Sequence, residues 1–307
     1  MKILVIGGCG FIGSHAVKFF LKKGNRVAAC DVVESPYPDI DFFRLDRSNP
    51  DFEKPFENNQ YDICINASGS ATVGYSFSDP LNDYTLNTFN VFKILNTIRK
   101  LNPTCRFINF SSAAVYGNPE QQPVKESHAT KPLSPYGCHK LMAERICTEF
   151  FNIYKIQSCS LRVFSAYGPG LKKQLFWDIF QKIKNIGNSN EHGEIELFGT
   201  GNESRDFIFI DDLLAAIDIV LQKSNFDANV INVSSGVETT IREASALLVG
   251  MLNEKLKVKF NGTVKKGDPL NWNADISLLS SFGFSAETNI KTGVKKYSEW
   301  LRNNLQY

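Results

Sequence analysis

The sequence predicts an α/β fold: a doubly wound parallel sheet with a smaller C-terminal α/β domain. Three observations carry this prediction. Short apolar runs of strand length recur between segments of helical periodicity, a glycine-rich turn follows the first run directly, and the alternation loosens after about residue 165. Repeated strand–helix alternation favours parallel strands joined by right-handed crossovers. We therefore expect one main sheet in the first half of the chain.

The individual elements follow from local patterns. Lys2–Ile6 is apolar after its first residue, as expected for a strand buried on both faces. A helix over 11–23 should stop at Gly24, a typical C-terminal glycine. Further strands are predicted at 26–30, 62–66, 106–110, Ser158–Val163 and 230–233. Further helices are predicted at 80–100, Pro135–Tyr154, 211–222 and 240–252, and a polar loop at 188–193.

Composition excludes several classes of protein. The 307 residues carry 34 Lys+Arg and 32 Asp+Glu, a net charge of +2, which gives no electrostatic reason to expect a nucleic-acid partner. No segment approaches the roughly 20 apolar residues that span a bilayer, so no membrane partner is expected. The N-terminus resembles a signal peptide, but its apolar run, 3–6, is shorter than the roughly 7–15 residues of a signal core. A strand entering a glycine turn explains it better.

Cysteine usage indicates a reducing compartment. The seven cysteines are odd in number and contain no Cys-x-x-Cys pair, which argues against a disulfide framework and a zinc site. We expect most of them to be buried as small apolar residues, and the protein to be cytoplasmic.

Glycines follow the first strand in the segment GGCGFIG, residues 7–13. Gly7 permits a tight turn, Gly10 lets a pyrophosphate approach the backbone, and Gly13 lets helix and strand pack closely. The phosphates would lie at the helix N-terminus, where unpaired N–H groups favour negative charge. Asp31 lies at the end of the second predicted strand. A carboxylate at this position of the motif accepts hydrogen bonds from the ribose hydroxyls of NAD. No Arg or Lys follows over 32–41 to hold the 2′-phosphate of NADP, so the segment predicts NAD binding by a Rossmann sheet.

A tyrosine and a lysine are spaced for proton transfer. Tyr136 and Lys140 lie one helical turn apart, on one face of a predicted helix. A free tyrosine has a pKa near 10, and a neighbouring ammonium lowers the pKa of the phenol. Ser112 follows another strand, at the edge where doubly wound sheets bind ligands. Taken alone, the pair is typical of a surface helix. Here the glycine loop, Ser112 and the Tyr136–Lys140 pair follow one another along the chain, and this combination indicates that the pair is catalytic.

Several ordered motifs together resemble the extended short-chain dehydrogenase/reductase family, also called the NAD-dependent epimerase/dehydratase family. The resemblance covers nearly the whole chain. It rests on the 7–13 loop, Asp31, "SSAAVYG" around Ser112, "SPYGCHK" around Tyr136 and Lys140, "LRVFSAYGP", "RDFIFIDD", "INVSSG" and "KKGDPLNWNADIS". It implies an NAD-binding domain over 1–164, with 207–237 contributing, and a nucleotide-sugar-binding domain over 165–307.

The resemblance also implies roles for individual residues. Ser112, Tyr136 and Lys140 would be the catalytic triad, with Lys140 also holding the nicotinamide ribose. The cofactor-binding set is Gly7, Gly10, Phe11, Ile12, Gly13, Asp31, Asp46, Tyr136 and Lys140. The substrate-binding set is Ser112, Ser165, Arg205 and Lys265, and no metal is expected. Ser165 stands where many members have an asparagine, and Lys265 where a second diphosphate-binding arginine is usual. Lysine lacks the bidentate fork of arginine.

The residues after Ser112 bear on the reaction. Family dehydratases carry an Asp-Glu pair there, whereas this chain has Ala113 and Ala114, which cannot transfer protons. Dehydration and decarboxylation are therefore disfavoured. The favoured function is a UDP-hexose 4-epimerase. A 4-keto reductase or dehydrogenase, a C2-epimerase and a non-catalytic NAD-binding regulator remain as alternatives.

Other expectations concern assembly and less specific segments. The resemblance suggests a homodimer paired through the helices around 80–100 and Pro135–Tyr154, although their apolar residues could equally face their own sheet. Segment 171–178 lies either near the sugar pocket or on an ordinary surface helix. For His128, His139 and His192 the sequence identifies no partners, and we expect structural or surface roles.

Overall fold

The structure is a computed structural model, and it describes residues 1–186, 193–263, 267 and 269–304. Its strands are β1 (Lys2–Ile6), β2 (Arg26–Asp31), β3 (Phe42–Arg44), β4 (Ile63–Asn66), β5 (Arg106–Ser112), β6 (Ser158–Val163), β7 (Ser165–Tyr167), β8 (Gly193–Leu197), β9 (Ser204–Phe209), β10 (Asp227–Val233), β11 (Glu238–Thr240) and β12 (Leu256–Phe260). Its α-helices are α1 (Phe11–Lys22), α2 (Val73–Ser78), α3 (Pro80–Tyr84), α4 (Asn90–Leu101), α5 (Pro135–Tyr154), α6 (Gln174–Ile186), α7 (Ile210–Lys223), α8 (Ile241–Leu252), α9 (Ser277–Ser281) and α10 (Ile290–Asn304).

Seven strands form the central sheet, in the order β10-β6-β5-β4-β1-β2-β3, and every neighbouring pair is parallel. The chain runs outward from β1 to β3 and then crosses to β4 on the other side of β1. Such a switch point opens a ligand crevice at the carboxyl ends of the strands. The predicted doubly wound α/β fold is confirmed.

A smaller α/β region follows the main sheet. Strands β11, β9 and β7 form one small sheet, and β12 pairs with β8 in another. Helices α6 and α10 both pack on α8 in this region. One apolar core runs continuously from the central sheet into it, from Ile3 to Leu301. Strand β10 returns from this later part of the chain to complete the main sheet beside β6.

Some element boundaries differ from the sequence predictions. The helix predicted over 80–100 is interrupted: a π-helical turn, Thr85–Phe89, separates α3 from α4. Within it, the Asn87 amide donates to the buried Asp83 carboxylate at 3.0 Å. Strand β5 extends two residues beyond its predicted end and includes Ser112. Of the predicted loop over 188–193, residues 188–192 lie outside the described residues, and Gly193 begins β8.

No helix in the described part of the chain is both long and apolar enough to cross a membrane.

Candidate active site

The glycine loop joins β1 to α1 in a tightly packed turn. Gly7 has a φ of 78°, and its N–H donates to the Cys30 carbonyl at 2.9 Å. A Cβ on Gly13 would lie 2.0 Å from the Gly7 carbonyl oxygen, so only glycine fits. Gly10 is the N-cap of α1 and provides no side-chain cap. The N–H groups of the first helical turn, from Phe11 onward, can therefore receive an anionic ligand.

Asp31 lies at the rim of this loop. One carboxylate oxygen accepts from the Cys9 N–H at 2.9 Å, and the other from the Val32 N–H at 2.7 Å. Each oxygen keeps a lone pair for a ribose hydroxyl. Beside it on β3, Arg44 is engaged by Glu34 in an ion pair. Phosphate-binding N–H groups and this carboxylate together fit NAD.

Asp46 lies near the same strand end. The Leu45 N–H donates to the Asp31 carbonyl at 2.8 Å, which places the segment after β3 beside the end of β2. The exposed Asp46 carboxylate accepts from the Ser48 hydroxyl at 2.6 Å and from the Ser48 N–H at 2.7 Å, and these bonds lower its pKa. Its predicted position near the adenine remains a proposal.

Two further side chains contact the cofactor loop region. The Tyr37 hydroxyl donates to the Gly8 carbonyl at 2.6 Å, and His15 Nε2 lies 2.8 Å from the Pro169 carbonyl oxygen. His15 thus links α1 to the loop after β7. Neither residue belongs to a recognisable sequence motif, so neither was predicted. An aromatic residue in the segment after Asp31 was the one available signal for Tyr37.

The structure brings Ser112, Tyr136 and Lys140 together. Ser112 ends β5, while Tyr136 and Lys140 are buried on successive turns of α5. Ser134 caps α5 by accepting from the Gly137 N–H at 3.2 Å. A Cβ on Gly137 would lie 2.6 Å from a backbone oxygen in the turn after β5, so glycine permits the close approach of α5. The Ser112 hydroxyl accepts from the Ala114 N–H at 3.2 Å, and it acts on Tyr136 by lowering the pKa of the phenol.

Burial dominates the electrostatics of the pair. It raises the pKa of Tyr136 to about 12, against the opposing hydrogen bond from Ser112. It lowers the pKa of Lys140 to about 8, against the opposing carboxylate of Asp83. Lys140 Nζ donates to the Phe110 carbonyl at 2.8 Å and lies 5.8 Å from the centroid of the Tyr136 ring. The pKa of Tyr136 is therefore raised, whereas the Tyr136–Lys140 spacing predicted a lowered pKa.

Of the four predicted substrate residues, three can be placed. Ser112 pairs in register with Val163 of β6, and Ser165 follows two residues later, so both serines lie at one edge. Ser165 pairs with Phe207 of β9, and Arg205 is the second residue of the same strand. The Arg205 guanidinium lies 5.4 Å from the centroid of the Trp272 ring and donates to a backbone carbonyl at 2.8 Å. Lys265 lies outside the described residues.

The neighbouring segments clarify two other expectations. Ala113 and Ala114 are buried directly after Ser112, so this turn places methyl groups where an acid or base would be required. In the 171–178 segment, Leu171 and Phe176 are buried in the core, whereas the two lysines between them are exposed. The segment is therefore anchored to the domain rather than lying on its surface throughout.

The structure gives hydrogen-bond partners for two of the three histidines that lacked a predicted partner. His139 Nδ1 lies 2.6 Å from a carboxylate oxygen of the buried Asp83, a partner that the sequence did not reveal. The half-buried His128 receives a long hydrogen bond from the Lys125 N–H, at 3.4 Å. His192 lies outside the described residues.

A buried polar cluster lies beside Ser112, and we call it the Arg162 network (Arg162, Glu144, Ser111, Tyr116 and Asn232). The guanidinium donates to both oxygens of the Glu144 carboxylate, at 2.9 and 2.7 Å, and to the Tyr116 hydroxyl at 2.9 Å. The Ser111 hydroxyl donates to Glu144 at 2.5 Å, and Tyr116 donates to the Asn232 side chain at 2.7 Å. The network fixes the strand end at Ser112 against α5.

A glycine loop at the switch point of a doubly wound sheet, with Ser112, Tyr136 and Lys140 at the same edge, is the arrangement of an NAD-dependent short-chain dehydrogenase/reductase. The NAD dependent epimerase/dehydratase family matches residues 3–234, and the chain belongs to this family.

Individual relatives are similar over almost their entire length. UDP-glucuronic acid 4-epimerase from Bacillus cereus, solved with UDP-glucuronic acid and NAD, is 26% identical, with a TM-score of 0.88 and coverage of 99% of each chain. UDP-N-acetylglucosamine 4-epimerase from Methanobrevibacter ruminantium M1, solved with UDP-N-acetylmuramic acid, is 25% identical, with a TM-score of 0.86 and 99% coverage of each chain. The Uncharacterized UDP-glucose epimerase YtcB of Bacillus subtilis (strain 168) is 26% identical over 100% of this chain and 99% of that protein.

Proposed function

We propose that this protein is an NAD-dependent epimerase that inverts C4 of a UDP-hexose through a 4-keto intermediate. The observation that carries the proposal is the half-buried Ser112 beside the buried Tyr136 and Lys140, followed by Ala113 and Ala114 in place of proton-transferring carboxyls. The relatives bearing 4-epimerase names support the same reaction, and their names share UDP while differing in the sugar.

The side chains at this edge supply proton transfer. Tyr136 takes the proton of the 4-hydroxyl as the ketone forms and returns it when the hydroxyl is rebuilt. The Ser112 hydroxyl hydrogen-bonds the same oxygen. Because burial holds the pKa of Tyr136 at about 12, the ammonium of Lys140 is needed to stabilise the phenolate. When bound, NAD would supply reversible hydride transfer at C4. Rotation of the 4-keto sugar within the pocket would present its opposite face to the returning hydride, which yields the C4 epimer.

The glycine loop and Asp31 support NAD as the resident cofactor. In our proposal, residues 1–164 with 207–237 bind NAD, and 165–307 bind the nucleotide sugar. The pairing of β10 with β6 supports assigning the 207–237 segment to the first unit. Ser165 and Arg205 would contact the substrate, with Arg205 on the diphosphate.

Two of the alternative functions, the 4-keto reductase and the non-catalytic regulator, have less support. A 4-keto reductase uses the same three side chains, but the relatives named above carry epimerase names. A non-catalytic regulator would be expected to carry a damaged triad, and here Ser112, Tyr136 and Lys140 are all present and adjacent.

A homodimer in the cytoplasm completes the proposal. Val91 and Leu95 of the α3–α4 segment face the protein's own core, but Phe89 and Phe92 are exposed. Leu81 of α3, 75% exposed, and Ile153 of α5, 63% exposed, are further exposed apolar side chains on neighbouring helices. A second copy would cover these side chains, since monomers rarely expose extended apolar patches. The seven free thiols support a reducing compartment.

The test is an assay of the purified protein on UDP-hexoses without added cofactor. We expect interconversion of C4 epimers, followed by nuclear magnetic resonance, and loss of at least about 100-fold in Tyr136→Phe, in line with the contribution of a general acid–base group. Turnover that requires a 4-keto sugar and reduced cofactor would establish the reductase. NAD binding without turnover of any nucleotide sugar would establish the regulator.

A further inference from the structure

A buried acid–histidine couple adjoins the catalytic lysine. His139 is the residue immediately before Lys140 on α5, and its Nδ1 lies 2.6 Å from Asp83 Oδ2 on α3. Asp83 is fully buried, and the His139 side chain is 12% exposed. The Tyr84 ring packs edge-on against the imidazole, with 5.5 Å between ring centroids. Two titratable groups thus share a site almost free of solvent.

The couple is held in a fixed position. The second oxygen of Asp83 accepts from the Asn87 amide at 3.0 Å, and the Thr88 hydroxyl donates to the His139 carbonyl at 2.9 Å. Asn87 and Thr88 both lie in the π-helical turn, a feature that is frequent at functional sites. The turn therefore clamps α5 at the residue beside Lys140. The elements packed around the couple carry further titratable side chains: Tyr75 and Asp79 at the α2–α3 corner, Tyr84 of α3, Lys93, Arg99 and Lys100 of α4, and Tyr136, Cys138, Lys140, Glu144, Arg145, Cys147, Glu149 and Tyr154 of α5.

Several of these groups form hydrogen bonds with partners other than Asp83 and His139. Tyr75 donates to Asp79 at 3.1 Å, and Lys93 donates to the Pro50 carbonyl at 2.7 Å. The Asp83 carboxylate, in contrast, acts on both catalytic groups: it raises the pKa of Lys140 and that of Tyr136. A carboxylate favours an ammonium and disfavours a phenolate.

We propose that Asp83 and His139 are positioning residues that control the charge on Lys140. Imidazole side chains change charge between about pH 5 and 8. When His139 carries a proton, its positive charge cancels the negative charge of Asp83, so the pair has little net effect on the charge of Lys140. Without that proton, the uncompensated Asp83 carboxylate keeps Lys140 an ammonium. Neither residue belongs to the Ser112–Tyr136–Lys140 set, and both act on the reaction through Lys140, a role that rests on the proposed function.

The first test measures the couple without any activity. The chain has four histidines, so a ¹⁵N-histidine-labelled sample gives few imidazole signals, and His139→Asn assigns one of them. Coupling between sites is reciprocal. Removing the ammonium in Lys140→Met should therefore raise the midpoint of the His139 titration by about 0.5 pH unit or more. An unchanged midpoint overturns the proposal, and so does a His139 that keeps one charge from pH 5 to 9 in both proteins.

The second test uses the pH profile of epimerisation. Asp83→Asn removes the charge that favours the ammonium, so the alkaline limb of kcat should move to lower pH by about 0.5 unit or more. His128→Asn replaces a half-buried histidine outside α5; this variant is the matched control and should leave the pH profile of kcat unchanged. A fall in kcat with no shift of the limb indicates a purely structural couple and overturns the proposal. If the wild-type protein epimerises no UDP-hexose, the proposed function fails, and the histidine titration still decides the couple.

Discussion

Replacing Glu144 by glutamine tests the Arg162 network most sharply. Both side chains of the ion pair are 6% exposed, and the carboxylate accepts two guanidinium hydrogen bonds, at 2.9 and 2.7 Å, and one from Ser111 at 2.5 Å. The glutamine keeps one acceptor oxygen but presents an N–H₂ donor where the second lies. A buried guanidinium then has no counter-ion.

The expected loss can be worked from these contacts. A hydrogen bond to a charged group contributes about 1.5–3 kcal/mol, and both bonds to Arg162 lose their charged acceptor. The sum, about 3–6 kcal/mol, covers the usual cost of breaking a buried ion pair at one partner, about 3–5 kcal/mol. Glu144→Gln should therefore lower the free energy of unfolding by about 3–5 kcal/mol. Because Ser111 precedes Ser112, catalysis should fall as well.

The assay is urea unfolding followed by circular dichroism. Glu149→Gln on the exposed side of the same helix is the matched control, and its effect should stay within about 0.5 kcal/mol. The double variant Glu144→Leu with Arg162→Met should recover part of the loss, since it leaves no unpaired charge. A loss below about 1 kcal/mol in Glu144→Gln would refute the reasoning.

Three further predictions follow from single contacts. Gly13→Ala, whose Cβ would lie 2.0 Å from the Gly7 carbonyl, should abolish retention of NAD measured by its absorbance after denaturation, whereas Gly250→Ala, which meets no atom within 4 Å, should keep it. Lys140→Met should stabilise the cofactor-free protein by about 1–3 kcal/mol at pH 7, and this gain should shrink from about pH 8 to 10.5, because the folded wild type loses the Lys140 proton first; a gain independent of pH refutes it. Ile153→Glu should shift the sedimentation coefficient from dimer to monomer; a wild-type monomer at every concentration contradicts the dimer.

Much of the sheet could be predicted from sequence because its signals are local. Apolar runs bounded by turns set β1 and β6, and their predicted ends match the structure. Strand β3 was missed, since two of its three residues are only partly buried, the third is exposed, and the strand shows no clear alternation. The π-helical turn was missed as well: it accompanies packing between α3, α4 and α5, which no periodicity encodes.

The candidate site divides in the same way. The Tyr136–Lys140 spacing is a pattern within one helix turn, so the sequence brings them together. The Arg162–Glu144 and His139–Asp83 pairs join residues 18 and 56 positions apart, and no local pattern indicates them. The pKa of Tyr136 could not be foreseen either, because its burial depends on how α5 packs beside the turn after β5.

Because β10 is the last of the seven central strands along the chain, the central sheet cannot be completed until late in translation. All six residues of β6 are buried, and its outer neighbour, Asp227–Val233, is synthesised last among the seven strands. Until the ribosome has released that segment, β6 is an open edge able to pair with other chains. Protection from aggregation during translation therefore depends on a strand encoded far downstream, and a nonsense mutation upstream of residue 227 would leave that edge permanently uncovered.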